Sequence, residues 1–198
     1  MSLLDFFKLK DKHDRTSKSG NGSFDAEVAQ EVANKTYPVL AIYVRDVNLS
    51  DEFADKYVPG LIIREKAFVD ASDRVMGMIT THRYLILSNH MAHLAEFEQG
   101  TNWGLCVANR DSHFKVLGKH TYRGKTAIVL LHLPDDESWK IYKNCRFSTD
   151  DSAYETAIKR FEAKCEMPPV AELTTPEWLE RCEFPVGMDS RGNLWEIE

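Results

Sequence analysis

The feature that most limits what this chain can fold into is a reversal at Tyr122-Arg123-Gly124-Lys125, set between two long apolar runs. A glycine between strand-like segments supplies the positive φ that a two-residue hairpin loop needs. Counting outward from Arg123-Gly124 pairs Phe114 with Leu133, Val116 with Leu131, Gly118 with Val129 and His120 with Ala127, so one face of the ribbon is almost wholly apolar. The opposite face pairs Lys115 with His132, Leu117 with Leu130, Lys119 with Ile128 and Thr121 with Thr126. That face is half polar and is expected to be only partly covered.

The stretch from Asp73 to Leu133 around this ribbon holds nearly all the long apolar runs, so the sheet core is expected there. Arg74 to Thr80 and Arg83 to Ser88 read as a second hairpin looped at Thr81-His82. Trp103 to Ala108 alternates large and small residues, with Gly104, Cys106 and Ala108 on a side that lets another element approach closely. Val39 to Val47, Leu61 to Arg64, Ala67 to Val69, Cys145 to Phe147 and Leu194 to Ile197 are further strand candidates.

Helical spacing marks three more segments. Ser23 caps a helix running to Lys35 with Phe24, Val28 and Val32 on one face and Glu31 placed to pair with Lys35. Thr149 to Cys165 carries the clearest apolar stripe, at Tyr154, Ala157, Ile158, Phe161 and Cys165, and Pro168-Pro169 stops it. Thr175-Pro176-Glu177 is a strong helix start, and Ser50 begins a short helix with Asp51 and Glu52 in its first turn. Asn89 to Gly100 is most simply a short helix.

The pattern predicts an α+β fold: a mostly antiparallel sheet with core strands within 74–133, and helices packed on one face. Ahead of a single domain at 23–198 the chain offers a short amphipathic N-terminal helix, 1–10, and a flexible linker, 11–22, of Lys, Asp, Ser, Gly and Asn.

The charge of −6 argues against a nucleic-acid partner. Membrane contact is not expected either, because Leu3 to Leu9 is short and broken by Asp5 and Lys8, and no apolar run approaches about 20 residues. The partner expected is a protein, or a second copy, through residues 1–10. Cys106, Cys145, Cys165 and Cys182 form no Cys-x-x-Cys pair, which fits reduced thiols and a cytoplasmic location. No cofactor is expected: the glycines at 100, 104, 118 and 124 match neither a P-loop nor a dinucleotide fingerprint.

Two constellations could carry chemistry. Cys106 follows Gln99 and a glycine-rich approach that loosely resembles the glutamine-to-cysteine approach of papain-like proteases, with the spacing off by a residue and the cysteine on a strand instead of at a helix start. A small hydrolase would use Cys106 as nucleophile, one of His113, His120 or His132 as base, and Gln99 to polarise the oxyanion. His90 and His93, at i and i+3, could share a metal with Glu96 or Glu98. Neither pattern is a complete signature. The sequence therefore reads first as a non-catalytic interaction or regulatory module and not an enzyme.

Overall fold

A computed structural model describes residues 26–143, 145–195 and 197. The expected N-terminal helix 1–10, the linker 11–22 and the Ser23 cap lie outside the described residues. The described strands are β1 (Ala41–Val47), β2 (Ile62–Glu65), β3 (Val69–Ser72), β4 (His82–Ser88), β5 (Ala92–His93), β6 (Leu105–Ala108), β7 (Ser112–Tyr122) and β8 (Lys125–His132). They form one sheet in the order β2-β7-β8-β4-β1-β3-β6-β5. Every named pairing is antiparallel except β4 with β8. The fold is thus α+β with a mixed, mostly antiparallel sheet.

The β7–β8 reversal forms as the sequence requires: Arg123 and Gly124 have φ of 49° and 76°, the two successive positive values of a primed hairpin turn. Gly118 pairs with Val129, His120 with Ala127 and Thr121 with Thr126, as counted. Beyond them a bulge between Val116 and Gly118 shifts the register, so that Val116 meets Leu130 and Phe114 meets His132. One extra residue on a strand turns the residues beyond it to the other face. Phe114 and Val116 therefore share a cluster with Ile128 and Leu130, while Ala127, Val129, Leu131 and Leu133 belong to the cluster on the other side. The half-polar, partly covered face expected from sequence is corrected: β8 lies between β7 and β4, and Ile128 to Leu131 are completely buried. The bulge sits where a Cβ on Gly118 would come within 2.7 Å of the Tyr154 ring.

The second expected hairpin does not form. β4 pairs instead with β1 and, in parallel, with β8. Residues 74–80 are held off the sheet by a side chain: buried Arg83 places Nε and Nη2 on Asp46 at 2.5 and 2.7 Å and donates to the carbonyls of Met76 and Gly77. Those carbonyls are then spoken for by a guanidinium and not by a ladder. Gly77 also lies so close to the Met167 backbone that a Cβ would fall 1.8 Å from its oxygen.

The helices are α1 (Ala26–Thr36), α2 (Asp51–Asp55), α3 (Ser148–Lys164) and α4 (Pro176–Arg181). Caps form at Ser50, which accepts from the Phe53 amide, and at Thr175, which accepts from the Trp178 amide. Glu31 and Lys35 pair at 3.0 Å. In α1 Ala29, Val32 and Thr36 are buried, with Val28 exposed. Ala29 and Val32 share one cluster with Ala157, Ile158, Phe161, Leu85, Val129 and Leu131.

Three segments differ from expectation. Asn89–Gly100 is not one helix: Ala92 and His93 pair with Val107 and Cys106, the Leu94 amide donates to the Leu105 carbonyl, and only Ala95–Phe97 forms a short 3-10 helix. At the C-terminal end, Leu194 forms an isolated bridge with Met188, and Cys145–Phe147 is irregular. Asp150, in the first turn of α3, is buried, with Lys115 Nζ at 2.8 Å and the Tyr37 hydroxyl at 2.5 Å.

Candidate functional site

Two neighbourhoods along the β1–β3–β6–β5 end of the sheet concentrate polar chemistry. In the first, the antiparallel pairing of β5 with β6 sets His93 against Cys106. His93 Nδ1 stands 3.3 Å from the Cys106 sulfur, and its Nε2 stands 3.0 Å from the Tyr43 hydroxyl. Asp73, just past β3, completes a set whose donor atoms all lie within 4.8 Å of one another. Gly104 makes this approach possible: its φ is 64°, and a Cβ there would come within 2.3 Å of the Asp73 carboxylate. The Glu98 carboxylate braces the loop from below, accepting from the amides of Trp103 and Leu105 and from the Thr101 hydroxyl. Burial, followed by the Asp73 charge, pushes the Cys106 thiol up to about 12. A thiol so placed stays protonated near neutrality and is a poor nucleophile.

Of the imidazoles singled out from sequence, none of the three proposed bases partners this sulfur. His113 stacks on Trp139, with centroids 3.9 Å apart. His120 Nε2 pairs with Glu162 at 2.8 Å. His132 is buried between the hydroxyls of Ser88 and Ser112, and burial lowers its pKa to about 3. Gln99 lies in an exposed bend. His90 and His93 are parted, because the helix that would have aligned them is absent: His90 stacks on His132 at 4.0 Å beside Asp135. Sequence reading missed Tyr43 and Asp73. The available signal was the short alternation at 92–94 opposite 105–107, too brief to register as a strand pair.

The second neighbourhood is a cavity of about 440 Å³. Its walls include Arg45, Glu65, Phe68, Arg181, Phe184 and Trp195. Arg45 extends from β1 and is 6% exposed; its Nη1 and Nη2 donate to the carbonyls of Asp70 and Phe184, at 2.9 and 3.2 Å. Glu65, at the end of β2, accepts from the amides of Ala67 and Gly187. Arg181 of α4 reaches Asp70 at 3.0 Å. Two buried donors on this wall, Arg45 Nε and Trp195 Nε1, have no hydrogen-bond partner in the protein. Sequence reading named neither.

No family model matches the chain, and no curated protein does. Among solved structures it is similar to exoenzyme S from Pseudomonas aeruginosa, in a complex with human 14-3-3 protein beta bound to carba-NAD, at 14% identity and a TM-score of 0.39, over 48% of this chain and 49% of that one. It is also similar to the ADP-ribosyltransferase HopU1 of Pseudomonas syringae pv. Tomato DC3000, at 15% identity and a TM-score of 0.43, over 48% of this chain and 46% of that one. A third is C3stau2 from S. aureus with NAD, at 11% identity and a TM-score of 0.42, over 55% and 70%. The chain spans about half the length of the first of these. The expectation of a non-catalytic interaction or regulatory module that is not an enzyme is corrected to this extent: the structures the chain is similar to include ADP-ribosyltransferases. The thiol-hydrolase alternative is left without the bases named for it, because His113, His120 and His132 all hold other partners. Among the described residues, no helix is long and apolar enough to cross a membrane.

Proposed function

We propose that this chain is an enzyme that binds a nucleotide in the Arg45 cavity and transfers an ADP-ribosyl group from it. The observation that carries this reading is a cavity that the guanidinium donors of Arg45 and Arg181 line together with Phe68 and Phe184. A phosphate oxygen is the acceptor such donors suit, and a guanidinium is the side chain best matched to it. Phe68 and Phe184, both more than half exposed, offer flat apolar surfaces for a base. The volume, about 440 Å³, lies in the range of small-molecule sites.

Transfer from NAD breaks the bond between the ribose anomeric carbon and the nicotinamide nitrogen, and nicotinamide leaves as a neutral molecule. The acceptor's nucleophile forms the new bond at that carbon and gives up its proton. Positive charge grows on the ribose as the old bond lengthens. Glu65, whose carboxylate is fixed by two backbone amides, is the anion on the cavity wall that opposes this charge.

NAD is the probe. Calorimetric titration of the folded protein should show saturable binding, and nicotinamide should appear when an arginine-rich protein mixture is added as acceptor. Arg45→Lys and Arg181→Ala, checked for folding by circular dichroism, should each weaken binding by about tenfold, the loss expected for a hydrogen bond to a charged ligand. Absence of NAD binding to the folded protein, or unchanged affinity in both variants, overturns the reading.

A further inference from the structure

We propose that Asp73, His93 and Cys106 form a binding site for a divalent metal ion of the zinc class. This site is separate from the nucleotide cavity and does not depend on that reading.

The donor set comes first. One sulfur, one imidazole nitrogen and one carboxylate within 4.8 Å of one another are the three ligand types that zinc takes. The separation of Cys106 Sγ and His93 Nδ1, 3.3 Å, is close to what two tetrahedral ligands require, since bonds of about 2.3 and 2.0 Å meeting near the tetrahedral angle put the donors roughly 3.5 Å apart. The two side chains thus already face a common point.

The surroundings fit as well. A ligating histidine almost always uses its second nitrogen to bond a fixed polar group, which holds the ring in orientation. His93 Nε2 does so with Tyr43, which is 3% exposed and so firmly set in the core. Asp73 and Glu98 bring carboxylate charge to this corner of the fold, and a divalent ion suits such charge. On binding, the S–H bond breaks, the proton passes to solvent and a metal–sulfur bond forms, with no change in oxidation state. Cys106 is wholly buried while Asp73 and His93 are exposed, so the ion would sit at the surface with its fourth position open to water. The second donor group, His90, His132 and Asp135, is the weaker candidate: both His132 nitrogens already bond serine hydroxyls.

The test uses the chelator-treated, refolded full chain titrated with zinc and, separately, with cobalt. One equivalent should bind, and the cobalt form should show a thiolate-to-metal charge-transfer band. His93→Ala and Asp73→Asn, both at exposed positions and so expected to fold, should weaken zinc by about tenfold or more, the range seen when a supporting group is lost. Cys106→Ser should abolish the charge-transfer band; His90→Ala should change nothing. Sub-stoichiometric binding by the wild type, a cobalt spectrum without the sulfur band, or loss on His90→Ala in place of His93→Ala each overturns the site. Since the readout is metal content and spectrum, failure of NAD binding leaves the result untouched.

Discussion

The two ends of the sheet are built on different principles. Around β7, β8, β4 and β1 the strands are long, and both faces are covered by large apolar side chains, among them Tyr84, Leu85, Ile86, Ile128 and Leu130. At the β3–β6–β5 end the strands have two to four residues and are held by side chains that bond backbone. Ser72 donates to the Trp103 carbonyl, Glu98 accepts from two amides, and Arg74 donates to the Asn102 carbonyl. Apolar burial is not directional and needs area. Polar clamps need little area but fix position. The end held by clamps is the one that presents Tyr43, Asp73, His93 and Cys106 in a defined array, as a site requires.

The sharpest way to break this contrast is at a buried ion pair inside the apolar end, Arg83 with Asp46. Asp46→Ala leaves Arg83 buried and without its carboxylate, and removal of one partner from a buried pair costs about 3–5 kcal/mol. Chemical unfolding should show a loss of that order. A loss below about 1 kcal/mol would mean that the Met76 and Gly77 carbonyls alone hold the guanidinium. At the clamped end, Glu98→Ala strips acceptors from the Trp103 and Leu105 amides and should cost about 1–3 kcal/mol. Its mark should be local: amide exchange accelerates at Trp103 to Leu105 and stays slow in β8. Equal acceleration in both places would deny that the two ends are distinct.

The same contrast decides what the sequence could disclose. The turn at Arg123-Gly124, the caps at Ser50 and Thr175 and the stripe Ala157-Ile158-Phe161 are local signals, and each appears in the structure. The bulge at Leu117 was not legible, because it answers to the Tyr154 ring, 37 residues away. Nor was the fate of 74–80, decided by Arg83 and Asp46 through tertiary bonds that leave no periodicity behind. The candidate sites fared worse for the same reason. Cys106 was noticed as a thiol, but its imidazole is His93 and not a β7 or β8 histidine, since pairing of a two-residue strand carries almost no pattern. Arg45 reads as an ordinary strand residue until Phe184, 139 positions later, closes over it.

The smallest effect lies where the apolar end turns polar. His132 closes β8 with Ser88 at one ring nitrogen and Ser112 at the other, stacked between His90 and Phe114. Burial and the neighbouring imidazoles of His90 and His113 lower its pKa from 6.5 to about 3. In the unfolded chain the ring takes a proton as pH falls through about 6.5, while in the folded chain it stays neutral down to about 3. The unfolded state binds more protons across that window, so stability is full above the upper value and declines below it, by at most ~1.4 kcal/mol per pH unit from this group. His82 and His113, also lowered by burial, add to the slope in the same direction. His132→Gln keeps polar atoms near both serines and cannot take the proton. About one unit below the free histidine value, the variant should therefore have lost roughly 1 kcal/mol less than the wild type relative to neutral pH. Parallel stability profiles for the two proteins would show that His132 is charged in the fold, and the end of β8 would then have to be counted with the polar, clamped end of the sheet.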